Sequence, residues 1–87
     1  MLKDTIFKVK SLNGAVYDFP EINDILPMHI HDENNNHITI VARGKFKISG
    51  NGWEKEAKAG DVLDWKDNDP HEFEALEPNS RIVNIIK

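Results

Sequence analysis

Cysteine is absent from the 87-residue sequence, which excludes disulfide cross-links and leaves thiolates out of any metal site. Long hydrophobic runs are absent as well. Uninterrupted apolar stretches reach only three residues, as in Ile40-Val41-Ala42, against roughly 20 for a membrane-spanning helix. The opening Met1-Leu2-Lys3-Asp4-Thr5 lacks the apolar stretch of a secretion signal, and with the missing cysteines this points to a cytoplasmic protein with no membrane partner. Basic residues are in the minority, 11 Lys and Arg against 15 Asp and Glu. They form no cluster, so phosphate contacts with nucleic acid have no footing. What remains is a length suited to one domain over residues 1–87. A chain this short buries only roughly 60% of the surface its unfolded form exposes. Its core is therefore expected to be thin, and a bound metal or a partner subunit to reinforce it.

The apolar residues that are present recur at intervals of two, with Gly, Pro, Asn and Asp between them, and no helical stripe develops. Thr5 to Lys10 alternates Phe7 and Val9 against Lys8 and Lys10. Asn13-Gly14 then predicts a tight turn into Ala15–Phe19. Gly50-Asn51-Gly52 predicts a second turn, joining a strand over 44–49 to one over 53–59. Further strands are expected over 37–42, 62–65, 71–76 and 81–86, with turn-rich segments at 66–70 and 77–80. Eight or nine short strands imply a sandwich or a barrel. The run Asp32-Glu33-Asn34-Asn35-Asn36 reads as a polar loop. Its spacing echoes a calcium-binding loop, but His37 stands where that loop needs glycine.

Four histidines carry the chemistry. His29 and His31 are spaced i, i+2, which in a strand sets both imidazoles on one face with their roots about 7 Å apart. His37 opens the next strand after a five-residue connection long enough for the chain to reverse. His71 follows Pro70 and shares its strand parity with Phe73 and Ala75, while Glu72 and Glu74 take the other face.

In these spacings the sequence resembles the cupin superfamily. The first motif of that family reads Gly-x5-His-x-His-x(3,4)-Glu-x6-Gly, and its second reads Gly-x5-Pro-x-Gly-x2-His-x3-Asn. Here they appear as His29-x-His31-x5-His37-x6-Gly44, within about residues 23–44, and as Gly60-x10-His71, within about residues 60–75. Departures are Asn23 for the leading glycine, one extra residue after His31, His37 for the glutamate, and Lys66, Asn68 and Ala75 in the second motif. The resemblance implies an all-β fold, an antiparallel double-sheet jelly-roll barrel. It also implies His29, His31, His37 and His71 as the ligands of one metal, and a habit of forming homodimers.

Imidazole suits several divalent transition metals. Fe and Mn are favoured, with Zn, Ni and Cu as alternatives. Four protein ligands on an octahedral ion leave two positions for outside ligands, as a reactive site requires. Replacing a carboxylate by His37 raises the formal charge of the site and favours an anionic or chelating oxygen ligand. The expected partner is thus a small oxygen-bearing molecule. Strand parity points Thr39, Val41, Phe46, Ile48, Leu63, Trp65, Phe73 and Ala75 inward, and Thr39, Val41, Phe46, Ile48, Trp65 and Phe73 are the expected pocket residues. Two functions follow: a metal-dependent enzyme of oxygenase, isomerase or lyase type, and a non-catalytic module that binds a metal or metabolite.

Overall fold

Alternation of apolar and polar residues becomes nine strands: β1 (Lys3–Val9), β2 (Leu12–Phe19), β3 (Ile25–His29), β4 (His37–Arg43), β5 (Lys45–Gly50), β6 (Trp53–Lys58), β7 (Val62–Trp65), β8 (His71–Ala75) and β9 (Ser80–Ile86). The computed structural model describes residues 1–9, 12–29, 37–65 and 70–86, apart from the side chains of Met28, His29, His37 and Ile86. Among these residues there is no helix, and so none long and apolar enough to cross a membrane. The strands form a five-stranded sheet in the order β1-β2-β9-β4-β7 and a four-stranded sheet in the order β3-β8-β5-β6. Every pairing is antiparallel. This is the double-sheet jelly-roll architecture expected from the sequence.

One turn differs from expectation. Asn13 and Gly14 lie inside β2, opposite Lys8 and Phe7, and the hairpin closes earlier, at the Val9–Leu12 pair. Gly14 serves close approach: a Cβ there would overlap the Phe7 ring and the Asn84 carbonyl oxygen. The aromatic ring covers backbone that a side chain would otherwise occupy. The face of β1 differs too. Phe7 and Val9 share the face of Val16, whereas Ile6 sits opposite the buried Ala15. The second expected turn forms, with Gly50 paired to Trp53 and Gly52 at φ 77°.

The core lies between the sheets. Phe19, Val41 and Ile82 come from the five-stranded sheet; Phe46, Ile48, Phe73 and Ala75 come from the other. Phe46 meets Phe19 edge-on at 4.8 Å between centroids and Phe73 at 5.9 Å, the arrangement that aromatic quadrupoles prefer. The four-stranded sheet turns a charged face to solvent, where Lys45 pairs with Glu56 and Lys47 with Glu74. On the five-stranded sheet Arg81 donates two hydrogen bonds to Asp18, at 2.6 and 3.3 Å. That guanidinium holds the Asp18 carboxyl below the usual carboxylate range.

Two backbone reversals tie the halves of the barrel together. Gly44 and Gly60 both have positive φ, 85° and 100°, in the region where a Cβ is strained. The Ala59 N–H donates to the Gly44 carbonyl at 3.0 Å, and the Gly60 N–H to the Val41 carbonyl at 2.8 Å. The glycines that open and close the two sequence motifs therefore meet, which fixes β4 against the entry to β7.

Candidate metal centre

His71 begins β8 immediately after Pro70 and is fully buried. Its imidazole stacks on the Trp65 indole, with centroids 4.0 Å apart and planes inclined by 13°, and meets Phe73 edge-on at 5.9 Å. The indole is itself held. Trp65 Nε1 donates to Thr39 Oγ1 at 2.8 Å, and the Thr39 hydroxyl donates to Asn84 Oδ1 at 2.5 Å. All three side chains are buried, so each hydrogen bond replaces one lost to water and the orientation of the ring is fixed.

Thr39→Val tests this support. It keeps the shape but leaves the Trp65 N–H and the Asn84 oxygen without their partner, a cost of about 1–3 kcal/mol. The expected result is a lower urea midpoint with an unchanged slope and a weakened near-ultraviolet signal from the tryptophans. A midpoint equal to wild type would show that the network supports nothing.

The bulge in β3 sets the histidine register. Leu26 pairs with Phe73 and His29 pairs with His71, so three steps along β3 match two along β8. Without that extra residue strand parity would separate Leu26 and His29 onto opposite faces; with it, His29 stands directly across from His71. Pro27 lies within the shifted segment, at an edge strand where a missing N–H is tolerated. On the other sheet His37 opens β4 opposite Trp65 on β7 and opposite Ile86 on β9. Register thus sets the backbone of His37 across from Trp65 and that of His29 across from His71, whose ring stacks on the same indole. His31 lies outside the described residues. Among the described side chains no group of three or more His, Cys, Asp or Glu gathers; of the four histidines, only the His71 side chain belongs to that set.

All six expected pocket residues are buried. Trp65 and Phe73 meet the His71 ring and Thr39 holds Trp65, while Val41, Phe46 and Ile48 belong with Trp65 and Phe73 to the core cluster. Sequence reasoning missed Trp53, which stacks on Trp65 at 6.2 Å between centroids with planes inclined by 24°. Its indole lies over Gly50, where a Cβ would overlap the ring, and Gly50 is the cross-strand partner of His71. The signal was available, because residues flanking the two-residue turn at 51–52 share a face. Asn84 was missed as well, although it stands alone as a polar residue within Ile82-Val83-Asn84-Ile85.

No protein-family model matches the chain, and no curated protein sequence does. Solved structures are similar. KdgF from Halomonas sp. is 22% identical, with 98% of this chain and 78% of that one covered at a TM-score of 0.84. An RmlC-like cupin protein from Desulfovibrio desulfuricans is 20% identical, with 98% and 80% covered at 0.84. A predicted oxalate decarboxylase from Thermotoga maritima is 20% identical, with 98% and 78% covered at 0.83. At such identities the likeness establishes the fold, which is that of the cupin barrels.

Proposed function

We propose that this chain is a metal-binding cupin in which His29, His31, His37 and His71 hold one divalent transition ion, Fe or Mn by preference. On this reading it acts as an enzyme on a small oxygen-bearing metabolite. The observation that supports the reading is strand register, which sets His29 across from His71 and His37 across from Trp65, the indole on which the His71 ring stacks. Residues directly opposite in an antiparallel pair share a face, with Cβ atoms about 4.5–5.5 Å apart, which suits two imidazoles on one ion. His31 follows His29 at the i, i+2 spacing. The chain has no thiolate to compete for the ion, so the donor set is nitrogen.

Such an ion supplies Lewis acidity toward a carboxylate, enolate or diketone oxygen. The remaining work falls to the protein. The Trp65 face holds the His71 ring in its plane, and the Thr39–Asn84 network holds Trp65. The half-exposed Trp53 indole offers an apolar wall beside Gly50. The similarity to a structure described as a predicted oxalate decarboxylase supports a small oxygen-rich guest, by analogy of fold alone.

Elemental analysis of protein made without a polyhistidine tag tests the reading. One equivalent of Fe or Mn per chain is expected in the wild type, with most of it lost in both His71→Gln and His29→Ala variants that retain the wild-type far-ultraviolet spectrum. Equal metal content in all three proteins would overturn the ligand assignment. Oxygen uptake or product formation by the loaded wild type, absent in His71→Gln, separates the enzyme from a binding module, which would hold its guest without turnover.

A further inference from the structure

Lys3, Asp18, Arg81 and Arg43 stand in one row across four strands, since Lys3 pairs with Asp18, Asp18 with Arg81 and Arg81 with Arg43. They are far apart in the chain, so the sequence shows no basic run. One step along, Tyr17 pairs with Ile82 and both belong to the core side, so alternation turns Asp18 and Arg81 to the outer face of the five-stranded sheet. Arg43 arrives there through a register shift in β4. Val41 pairs with Ile82, and the next pair is Arg43 with Arg81, with Ala42 passed over. In unbroken register the parity of the buried Thr39 and Val41 would turn Arg43 inward. The shift instead sets one guanidinium across from another.

Like charges directly across a ladder destabilise it, and Asp18 offsets only one of the two. Arg81 Nε and Nη2 donate to its carboxylate at 2.6 and 3.3 Å, while Arg43 Nη2 lies 3.8 Å away. Arg43 is anchored separately, its Nε donating to the Asn79 carbonyl at 2.6 Å. Each guanidinium has five N–H groups, so most of them have no hydrogen-bond partner among the described residues. With Lys3 and Asp18 these two arginines line a hollow of about 230 Å³ at the end of the sheet. Asp18 is the only carboxylate in that lining. Three cations less one anion leave the hollow a charge of +2.

We infer that this hollow binds the phosphate dianion of a small molecule, with Arg43 and Arg81 as its two forks and Lys3 as a third cation. A dianion matches the charge of the lining, and a tetrahedral group has oxygens enough for both guanidiniums, whereas a carboxylate is filled by one fork. Both forks are anchored through Nε, which fixes them before the anion arrives. Three cations are too few for the run of phosphates along a nucleic acid, so the guest is small. The site is separate from the candidate metal centre, because Arg43 lies six residues along β4 from His37, roughly 20 Å away.

Titration of isotope-labelled protein with inorganic phosphate, followed by NMR at constant ionic strength so that screening is fixed, tests it. The Arg43 and Arg81 Nε–H signals are expected to shift and saturate at one phosphate per chain. Arg43→Gln and Lys3→Gln each raise the Kd by about threefold or more, and Asp18→Asn, which keeps an acceptor for Arg81 but removes the opposing charge, lowers it by about threefold. Lys47→Gln, on the other sheet, loses the same charge as Arg43→Gln and leaves the Kd unchanged. Acetate, a monoanion, binds about tenfold more weakly than phosphate. A drift that never saturates, an Arg43→Gln protein that binds as well as Lys47→Gln, or an Asp18→Asn protein weaker than wild type would each overturn the inference. So would shifts confined to the Trp53 and Trp65 indole N–H signals, which would move the phosphate to the candidate metal centre.

Discussion

Phe46→Ala is expected to lower the unfolding free energy by about 3–5 kcal/mol. Phe46 is fully buried between Phe19 and Phe73, and its ring is where aromatic side chains of the two sheets meet. Truncation loses the transfer free energy of the ring, two edge-on aromatic contacts and the packing around the void. Small domains are stable by only about 5–15 kcal/mol, so the loss takes a large share of that margin and nearly all of it at the low end of the range. Where it does fold, its melting temperature falls by roughly 12 °C or more. The neighbouring Lys47→Ala, on the opposite face of β5, removes ion pairs of Glu54 and Glu74 that are worth about 0–1 kcal/mol each. Urea unfolding of the two variants side by side checks the contrast. A loss below about 1 kcal/mol for Phe46→Ala would mean that the core is not centred on this ring.

Removal of the proposed ion is the second large effect. A ligand that binds only the folded chain stabilises it by about 2.7 kcal/mol when present at a hundred times its Kd. For a domain of this length that corresponds to a drop of roughly 10–20 °C in melting temperature on chelation. Re-addition of Fe or Mn restores the transition in proportion to occupancy. An unchanged melting temperature after verified removal would separate the ion from the stability of the barrel, leaving Phe19, Phe46, Phe73 and their neighbours to hold it alone.

The strands were legible in the sequence because burial on one face imposes period two, as in Phe46 and Ile48 against Lys45 and Lys47. The inward set over residues 39–75 followed for the same reason. The hairpin at Asn13-Gly14 was misread because this pair suits a tight turn and, equally, a place where a neighbouring ring lies on bare backbone. Nothing local distinguishes the two uses; the Phe7 ring decides. Likewise the alternation of Phe7 and Val9 gave no sign that this strand extends past the opposing sheet, which leaves Ile6 exposed opposite the buried Ala15. For the candidate site, spacing indicated which histidines share a neighbourhood. It could not indicate that His29 reaches His71 only through a shift of one residue near Pro27, since register is a property of two strands and not of one. Trp53 escaped attention because its role depends on Gly50 beside it and Trp65 on another sheet.

Trp65 lies within van der Waals reach of the His71 ring and also meets Thr39, Trp53 and Phe73. The chain has only two tryptophans, and both belong to this stack. Tryptophan emission, excited selectively over the single Tyr17, therefore originates entirely at the candidate centre. Occupancy, protonation or exchange at His71 can be followed as emission intensity and wavelength in unlabelled protein, with Trp53 giving the solvent-facing component and Trp65 the buried one.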